Sequence, residues 1–281
     1  MNTLVLGLIG EGISESLSPQ LHSAIAAQRS SRLSYALIDN PSFADALKRA
    51  EELGLRGVNV TAPHKGAAAA SAFQRSREVE LLGVANTLTR ESGGWRAENS
   101  DLPALERCLP ALLPEANALS DDVSPPVVLF GSGATARTTL LALNRLNDTF
   151  QIPPVRLYER GGASTVRLSA WLKSCPLSFP LERRRWGEWG GLSAARLIIS
   201  ALPPLSSTEW ARVPRGELLP HGHLFDLNYG ARVAGSAAYA SSINWSHEGG
   251  LKMLIWQGIY SALWWSGFEA NFEEIWEHLG S

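Results

Sequence analysis

The sequence has few cysteines, little excess of either charge and no long apolar run. Its 281 residues include two cysteines, and 27 acidic against 25 basic side chains give a formal net charge of −2. Two distant cysteines fit a reducing compartment better than a disulfide framework. The balanced charge argues against nucleic acid or an anionic membrane surface as a partner. Apolar runs fall short of the ~20 residues that a membrane helix needs, so we expect a cytoplasmic protein.

The histidines show no ligand-like spacing with cysteines or carboxylates, so we predict no metal site. The length of the chain predicts two domains instead. Over residues 1–103, strands are predicted at Leu4–Ile9, Ser34–Ile38 and Val58–Val60, and apolar residues recur at helical spacing over Phe43–Leu53. This βαβ order predicts an open α/β domain with a parallel sheet.

Polar residues follow the third predicted strand. Asn59, Thr61 and Lys65 surround Pro63, which cannot donate to a sheet ladder and therefore ends the strand. Open α/β sheets bind ligands at the carboxyl ends of their strands, so these side chains are candidate ligand contacts. An ordinary exposed turn explains the same residues.

Further hydrogen-bonding side chains lie on either side of this segment. Ser16 and Ser18 are two residues apart and point the same way in an extended segment, although a helix N-cap accounts for one of them. Asn86 begins a predicted strand and Asp101 precedes a predicted helix, where turn formation and capping are the alternatives. Uncharged groups of this kind suit a small polyhydroxylated ligand.

A second domain is predicted over residues 122–248, after a proline-rich linker at Pro110–Pro126. The apolar strand Val127–Phe130 leads into a G-x-G-x-x-A segment, and a helix is predicted over Thr138–Leu146. Strand, glycine turn and helix together predict a doubly wound Rossmann-type domain, whose helix N-terminus stabilises a pyrophosphate. The predicted cofactor-binding residues of this turn are Gly131, Ser132, Gly133, Ala134, Thr135 and Ala136.

The choice of dinucleotide depends on Glu159 and Arg160, which follow the predicted strand Val155–Tyr158. An arginine here can bind the 2′-phosphate of NADP as a charged bidentate partner. A glutamate repels that phosphate and can hydrogen-bond the ribose 2′-hydroxyl of NAD. NADP is the preferred prediction, and NAD remains possible.

Taken in order, these motifs resemble those of the shikimate dehydrogenases. The family motifs S-x-S-P, N-V-T-x-P-x-K, G-A-V-N-T-L and N-T-D correspond to Ser16–Pro19, Asn59–Lys65, Gly83–Leu88 and Asn99–Asp101. The resemblance continues through the dinucleotide turn to Met253 and Gln257. Each motif is weak alone, but their order and spacing make the resemblance specific over nearly the whole chain.

The resemblance implies an NADP-dependent enzyme that interconverts 3-dehydroshikimate and shikimate, with Lys65 and Asp101 as the proton-transfer pair. It implies that residues 249–281 return to complete the first domain. The residues expected to bind substrate are Ser16, Ser18, Asn59, Thr61, Asn86, Tyr229 and Gln257, and those expected near the nicotinamide are Gly250 and Met253. The expected partner is a small polyhydroxylated carboxylate, and the expected assembly is a monomer or a homodimer.

Departures from the family pattern leave other functions open. They fall at Gly12, Glu15, Glu159 and Lys252. A quinate/shikimate or aminoshikimate dehydrogenase that uses NAD or NADP is one alternative. A non-catalytic nucleotide-binding regulator is another, but it is expected to have lost the Lys65–Asp101 pair. A folate-type dehydrogenase of similar layout would not need both serines and the glutamine together.

Overall fold

The computed structural model describes residues 3–113, 125–190, 192, 194–215 and 218–280. The chain forms two compact units, one comprising Met1–Ala104 and Leu254–Ser281 and the other Leu105–Met253. The second unit thus begins earlier and ends later than the predicted span of 122–248. Most of the predicted proline-rich linker, residues 114–124, lies outside the described residues. The assignment of substrate to one unit and dinucleotide to the other stays a prediction.

The first half of the chain contains the following helices and strands in order: β1 (Thr3–Gly10), α1 (Ser18–Gln28), β2 (Arg32–Asp39), α2 (Phe43–Glu52), β3 (Gly57–Val60), α3 (Lys65–Ser71), β4 (Gln74–Arg75), α4 (Arg77–Leu82), β5 (Thr87–Glu91), β6 (Gly94–Glu98) and α5 (Asp101–Cys108). A short 3₁₀ segment, Leu109–Ala111, follows α5.

The second half continues with β7 (Val127–Phe130), α6 (Ala134–Phe150), β8 (Val155–Glu159), α7 (Ala163–Ser174), β9 (Leu181–Arg185), β10 (Leu197–Ser200), α8 (Ser207–Trp210), β11 (His223–Asp226), α9 (Ala234–Ser242), β12 (Ser246–Gly249), α10 (Leu251–Ser266) and α11 (Phe272–Leu279). A 3₁₀ segment, Gly230–Val233, precedes α9. Within the described residues, no helix is long and apolar enough to span a bilayer.

The sheet of the first unit is mixed, with the strand order β2-β1-β3-β5-β6-β4. Strand β1 pairs in parallel with both β2 and β3, as the βαβ pattern predicts. The β3–β5 and β5–β6 pairs are antiparallel, the second being a hairpin closed by a tight turn, and β4 pairs with β6 in parallel. The prediction of a parallel sheet therefore holds for the pairs of β1 with β2 and β3 and for β4–β6, but not for the two pairs that β5 makes.

Strand β3 lies inside this sheet, and all four of its residues are buried. Its Val58 and Val60 pack in one core with Phe43, Ala46 and Ala50, the apolar face of α2. The opposite face of β3, which carries Gly57 and Asn59, is covered by α10. The segment after β3 therefore leaves a rigid base at the carboxyl edge of the sheet.

The sheet of the second unit has the order β12-β11-β10-β7-β8-β9, and its neighbouring strands are parallel. This is the doubly wound order, with β7 and β10 at the point where the direction of winding reverses. Strand β12, which pairs in parallel with β11, was not predicted from the sequence. Strand β9 was also missed, since its sequence Leu-Glu-Arg-Arg-Arg has no apolar pattern.

Candidate active site

A largely buried ion pair lies at the carboxyl edge of the first sheet. Lys65 begins α3 and Asp101 begins α5, and Nζ of Lys65 lies 2.6 Å from Oδ2 of Asp101. Their side chains are 14% and 8% exposed, so Lys65 is not an ordinary surface lysine. Asp101 does not cap α5, because the backbone N–H of Leu102 donates to Oδ1 of Asn99 at 3.1 Å. The Asp101 carboxylate is thus committed to the ion pair.

Asn86 orients that carboxylate. Its Nδ2 donates to Oδ1 of Asp101 at 2.9 Å, while its Oδ1 accepts from the backbone N–H of Ser100 at 2.7 Å. One carboxylate oxygen of Asp101 therefore faces the Lys65 ammonium and the other faces an amide. A carboxylate held at both oxygens has a defined direction, which proton transfer requires.

Gln257 reaches the same cluster from α10. Its Oε1 lies 3.4 Å from Nδ2 of Asn86 and 3.4 Å from Oγ of Ser100, and the residue is buried. These residues all belong to the first unit, which includes Leu254–Ser281. Because Oε1 accepts these two hydrogen bonds, the Nε2 group is the end of the amide that remains to donate to a ligand.

Asn59 differs from these residues because its amide is used within the protein. Its Oδ1 accepts from Nε2 of His22 at 2.9 Å and from the hydroxyl of Tyr35 at 3.2 Å. Its Nδ2 donates to Oγ of Ser261 at 2.9 Å and to the carbonyl oxygen of Asn86 at 3.4 Å. Four such bonds exhaust a side-chain amide in practice. We therefore expect Asn59 to hold neighbouring residues of the site in position. Its direct contact with a substrate stays a prediction.

His22 is a member of this network that the sequence motifs did not assign. Burial lowers the pKa of His22 to about 4, against the weaker opposing effect of its hydrogen bond to Asn59. The neutral ring stacks on Tyr35 with centroids 5.0 Å apart. Since Oδ1 of Asn59 can only accept, Nε2 of His22 carries the proton. The ring is thus a fixed, uncharged donor in the core of the first unit.

The two predicted serines are neighbours in space. Their hydroxyl oxygens lie 3.1 Å apart, and Oγ of Ser16 accepts from the backbone N–H of Ser18 at 3.2 Å. The N-cap of α1 is Leu17 and has no side-chain cap, so the expectation that one of the two serines caps this helix was wrong. The turn closed by Ser16 draws Ser18 into the first helical turn, past the capping position.

The loop that carries these serines is anchored at its base. The carboxylate of Asp39, at the end of β2, accepts from the backbone N–H groups of Gly12 at 3.0 Å and Ile13 at 3.1 Å. Thr61 leaves the neighbouring parallel strand β3 at the same edge, and a Cβ on Gly10 would overlap its methyl group. The serine loop and Thr61 therefore follow adjacent parallel strands and lie at the same edge of the sheet. Strand β6 runs parallel to β3, so it ends at this edge as well.

The glycine turn of the second unit has the geometry of an anion-binding loop. Gly131 has φ of 116°, and a Cβ there would lie 2.9 Å from the carbonyl oxygen of Ala201. Gly133 is the N-cap of α6, and a Cβ there would meet no described atom within 4 Å. Ala134, Thr135 and Ala136 form the first turn of α6, whose N-terminal N–H groups favour a negative charge. These residues fit the pyrophosphate of a dinucleotide.

The other predicted site residues of the second unit include Ser132, Gly250, Met253 and Tyr229. Ser132 is buried, and its hydroxyl oxygen lies 2.9 Å from Oγ of Ser164. A side chain on Gly250 would overlap the carbonyl oxygen of Leu227, which explains the glycine by backbone packing. Met253 is buried, and Tyr229 is half-buried beside a 3₁₀ segment. Their contact with a ligand stays a prediction.

Glu159 and Arg160 occupy different surroundings at the end of β8. Glu159 is buried, and Arg183 of β9 donates to its two carboxylate oxygens from Nε at 2.6 Å and Nη2 at 3.0 Å. Arg160 is 40% exposed and lies 3.6 Å from Glu209, with its guanidinium 5.3 Å from the ring centre of Trp186. The sequence reasoning missed Arg183 because it missed β9.

A family model and two relatives show to which family the chain belongs. A model of the "Shikimate dehydrogenase substrate binding domain" matches residues 8–88. The shikimate dehydrogenase (NADP(+)) of Xanthomonas oryzae pv. oryzae is 31% identical over 277 residues, which cover 97% of this chain and 94% of that protein. This chain belongs to the shikimate dehydrogenase family. The shikimate dehydrogenase (NADP(+)) of a Synechococcus species is 29% identical over 283 residues, with coverages of 95% and 89%.

Solved structures of the family share the fold. Shikimate dehydrogenase from Aquifex aeolicus aligns over 100% of both chains with a TM-score of 0.79 and 21% identity. Shikimate 5-dehydrogenase from Thermus thermophilus, solved in complex with NADP(H) and shikimate, aligns over 98% of this chain and 97% of its own with a TM-score of 0.77 and 24% identity. The predicted α/β class with a Rossmann-type unit is thereby confirmed. Among the described residues, no cluster of His, Cys, Asp and Glu is arranged to hold a metal ion.

The buried His22 predicts an acid-sensitive stability. Its folded-state pKa of about 4 lies below the ordinary 6.5, so the unfolded chain binds more protons in this range. The stability that the neutral His22 ring contributes is complete above pH 6.5. It is lost as the pH falls toward 4, which lowers the free energy of unfolding by about 3 kcal/mol. Urea unfolding at pH 7 and pH 4.5 should show that the free energy of unfolding decreases less in His22→Gln than in the wild type. The exposed His278→Gln control should lose as much as the wild type, and an equal loss in all three proteins would contradict the assignment.

Proposed function

We propose that this chain is an NADP-linked oxidoreductase that interconverts 3-dehydroshikimate and shikimate by hydride transfer. The observation that carries the proposal is the Lys65–Asp101 ion pair at the carboxyl edge of the first sheet, in which Asn86 orients the carboxylate. The family relatives named as NADP(+)-dependent shikimate dehydrogenases support the substrate and cofactor. A cytoplasmic location and a monomeric or homodimeric state remain expectations.

NADP supplies the hydride acceptor or donor when it is bound. The turn from Gly131 to Ala136 would hold its pyrophosphate, because the N-terminus of α6 is open and Gly133 leaves space there. Arg160 would bind the 2′-phosphate, since its guanidinium is exposed and its pair with Glu209 is long. An exposed pair of this kind contributes little and is easily exchanged for a phosphate.

Lys65 is proposed to move the proton. Its Nζ donates to the carbonyl oxygen as the ketone is reduced, and it accepts a proton, directly or through water, as the alcohol is oxidised. An ammonium has three donors, and Asp101 uses one of them in the structure. Asp101 keeps the ammonium oriented and accepts a hydrogen bond from a substrate hydroxyl. A positioned acid–base group of this type contributes roughly 10²–10⁴ in rate.

The remaining polar residues of the first unit suit a small polyhydroxylated carboxylate. Ser16 and Ser18 present two adjacent hydroxyls, and Gln257 has an amide N–H₂ group left to donate. Thr61 is half-buried at the end of β3. Hydroxyl and amide groups can pair with ring hydroxyls and a carboxylate without adding charge. Tyr229 is proposed as a further substrate contact.

A substrate and cofactor screen tests this function directly. Shikimate, quinate and aminoshikimate are each incubated with the purified chain and either NADP or NAD, and formation of the reduced cofactor is followed by absorbance. We expect the highest kcat/KM for shikimate with NADP. Turnover that is greater with quinate or aminoshikimate would assign the chain to a paralogous dehydrogenase. Cofactor binding without turnover of any of the three would favour a non-catalytic nucleotide-binding regulator.

The glycine turn predicts two different effects of the same substitution. Gly131→Ala places a Cβ against a backbone carbonyl at positive φ, so the free energy of unfolding should fall by about 1–3 kcal/mol. Gly133→Ala should fold normally, because no described atom obstructs the Cβ. It should nevertheless weaken NADP binding, since the methyl group occupies the space proposed for the pyrophosphate. Thermal unfolding and calorimetric titration separate the effects, and wild-type NADP affinity in Gly133→Ala would contradict the placement.

A further inference from the structure

The acid at the end of β8 conflicts with the proposed cofactor unless its charge is controlled. Glu159 ends the second strand of the doubly wound unit, the position from which an acidic side chain accepts a hydrogen bond from the ribose 2′-hydroxyl of NAD. A free carboxylate there would repel the 2′-phosphate of NADP. The following Arg160 favours that phosphate, so the two neighbours have opposite effects on cofactor choice.

Glu159 is not a free carboxylate in the structure. Arg183 forms two parallel hydrogen bonds to the Glu159 carboxylate, and the Glu159 side chain is 7% exposed. The remaining Nη1 of Arg183 donates to Oγ of Ser169 on α7 at 2.9 Å. The guanidinium is therefore fixed by three hydrogen bonds between a strand and a helix. The bidentate pair fixes the position of the carboxylate and offsets its charge, so moving the carboxylate toward a ribose hydroxyl would disrupt these bonds.

We propose that Arg183 determines the cofactor preference by neutralising Glu159 and holding its carboxylate away from the 2′ position of the ribose. Arg183 is a positioning residue in this role, because it acts through Glu159. This inference rests on the proposed use of NADP. It extends that proposal by adding a specificity determinant on β9, a strand outside both the glycine turn and the Glu159–Arg160 pair.

The neighbouring residues of β9 support a specific role for Arg183. Arg184 points to the opposite face of the strand, as alternation requires, and its side chain is 42% exposed with Glu182 at 3.5 Å. Arg183 is less exposed, at 32%, and its bonds to Glu159 are short and bidentate. Arg184 is therefore a matched control with the same side chain and the same strand but no bond to Glu159.

A double-mutant cycle tests the proposal by binding rather than by turnover. Calorimetric titration gives Kd values for NADP and NAD with the wild type, Arg183→Gln, Glu159→Gln, the double variant and Arg184→Gln. We expect Arg183→Gln to weaken NADP binding by about tenfold, because the freed carboxylate would repel the 2′-phosphate. NAD binding should stay equal or become tighter. The double variant should regain NADP affinity within about threefold of the wild type, and Arg184→Gln should match the wild type.

Each other outcome has a defined meaning. Equal weakening of NADP and NAD in Arg183→Gln, without rescue in the double variant, would show a merely structural pair and overturn the inference. Failure of the wild type to bind NADP would instead overturn the proposed function. If Arg183→Gln does not fold, Arg183→Lys carries the test, since it keeps the charge and loses the bidentate fork. That variant should shift the ratio of the two Kd values toward NAD, and an unchanged ratio would contradict the proposal.

Discussion

The structure of the first unit depends on keeping one ion pair largely out of water. Removing Lys65 and Asp101 from solvent is costly, and the cost is offset by their mutual attraction together with further hydrogen bonds to the carboxylate. Asn86 satisfies the second oxygen of the Asp101 carboxylate and is itself held by Ser100. Beneath them, the Asn59 amide joins the sheet to α10 through the hydroxyl of Ser261. The direction of the ion pair is therefore set by the hydrogen-bonded core.

The second unit handles charge by a related principle. The N-terminus of α6 offers partial positive charge at a glycine turn that excludes side chains, which suits a pyrophosphate. At the neighbouring strand end, the negative charge of Glu159 is cancelled by Arg183. A residue that departs from the family pattern is thus compensated by a partner on the adjacent strand. Arg160, the next residue along the chain, is an exposed cation.

Residue patterns predicted the parts of the molecule that local physics determines. Strand β3 is short and fully buried, β7 is a short buried apolar run, and the glycine turn has the expected conformation. Strand β9 escaped prediction because charged residues on an exposed edge strand leave no periodic signal. The supporting partners were missed because they are distant in sequence: Ser261 lies 202 residues from Asn59, and Arg183 lies 24 residues from Glu159. Such pairs are decided by tertiary packing, which no local pattern encodes.

Coupling between Lys65 and Asp101 during turnover is the most direct test of the central claim. Steady-state kinetics of shikimate oxidation would be measured for Lys65→Ala, Asp101→Asn and the double variant, with the exposed Lys48→Ala as a control. If the two residues act as one unit, Lys65→Ala lowers kcat by roughly 10²–10⁴ with a smaller change in KM. The double variant then loses little more than the worse single variant. The central claim would be contradicted if the two single losses in kcat multiplied in the double variant. Wild-type turnover in Lys65→Ala would also contradict it.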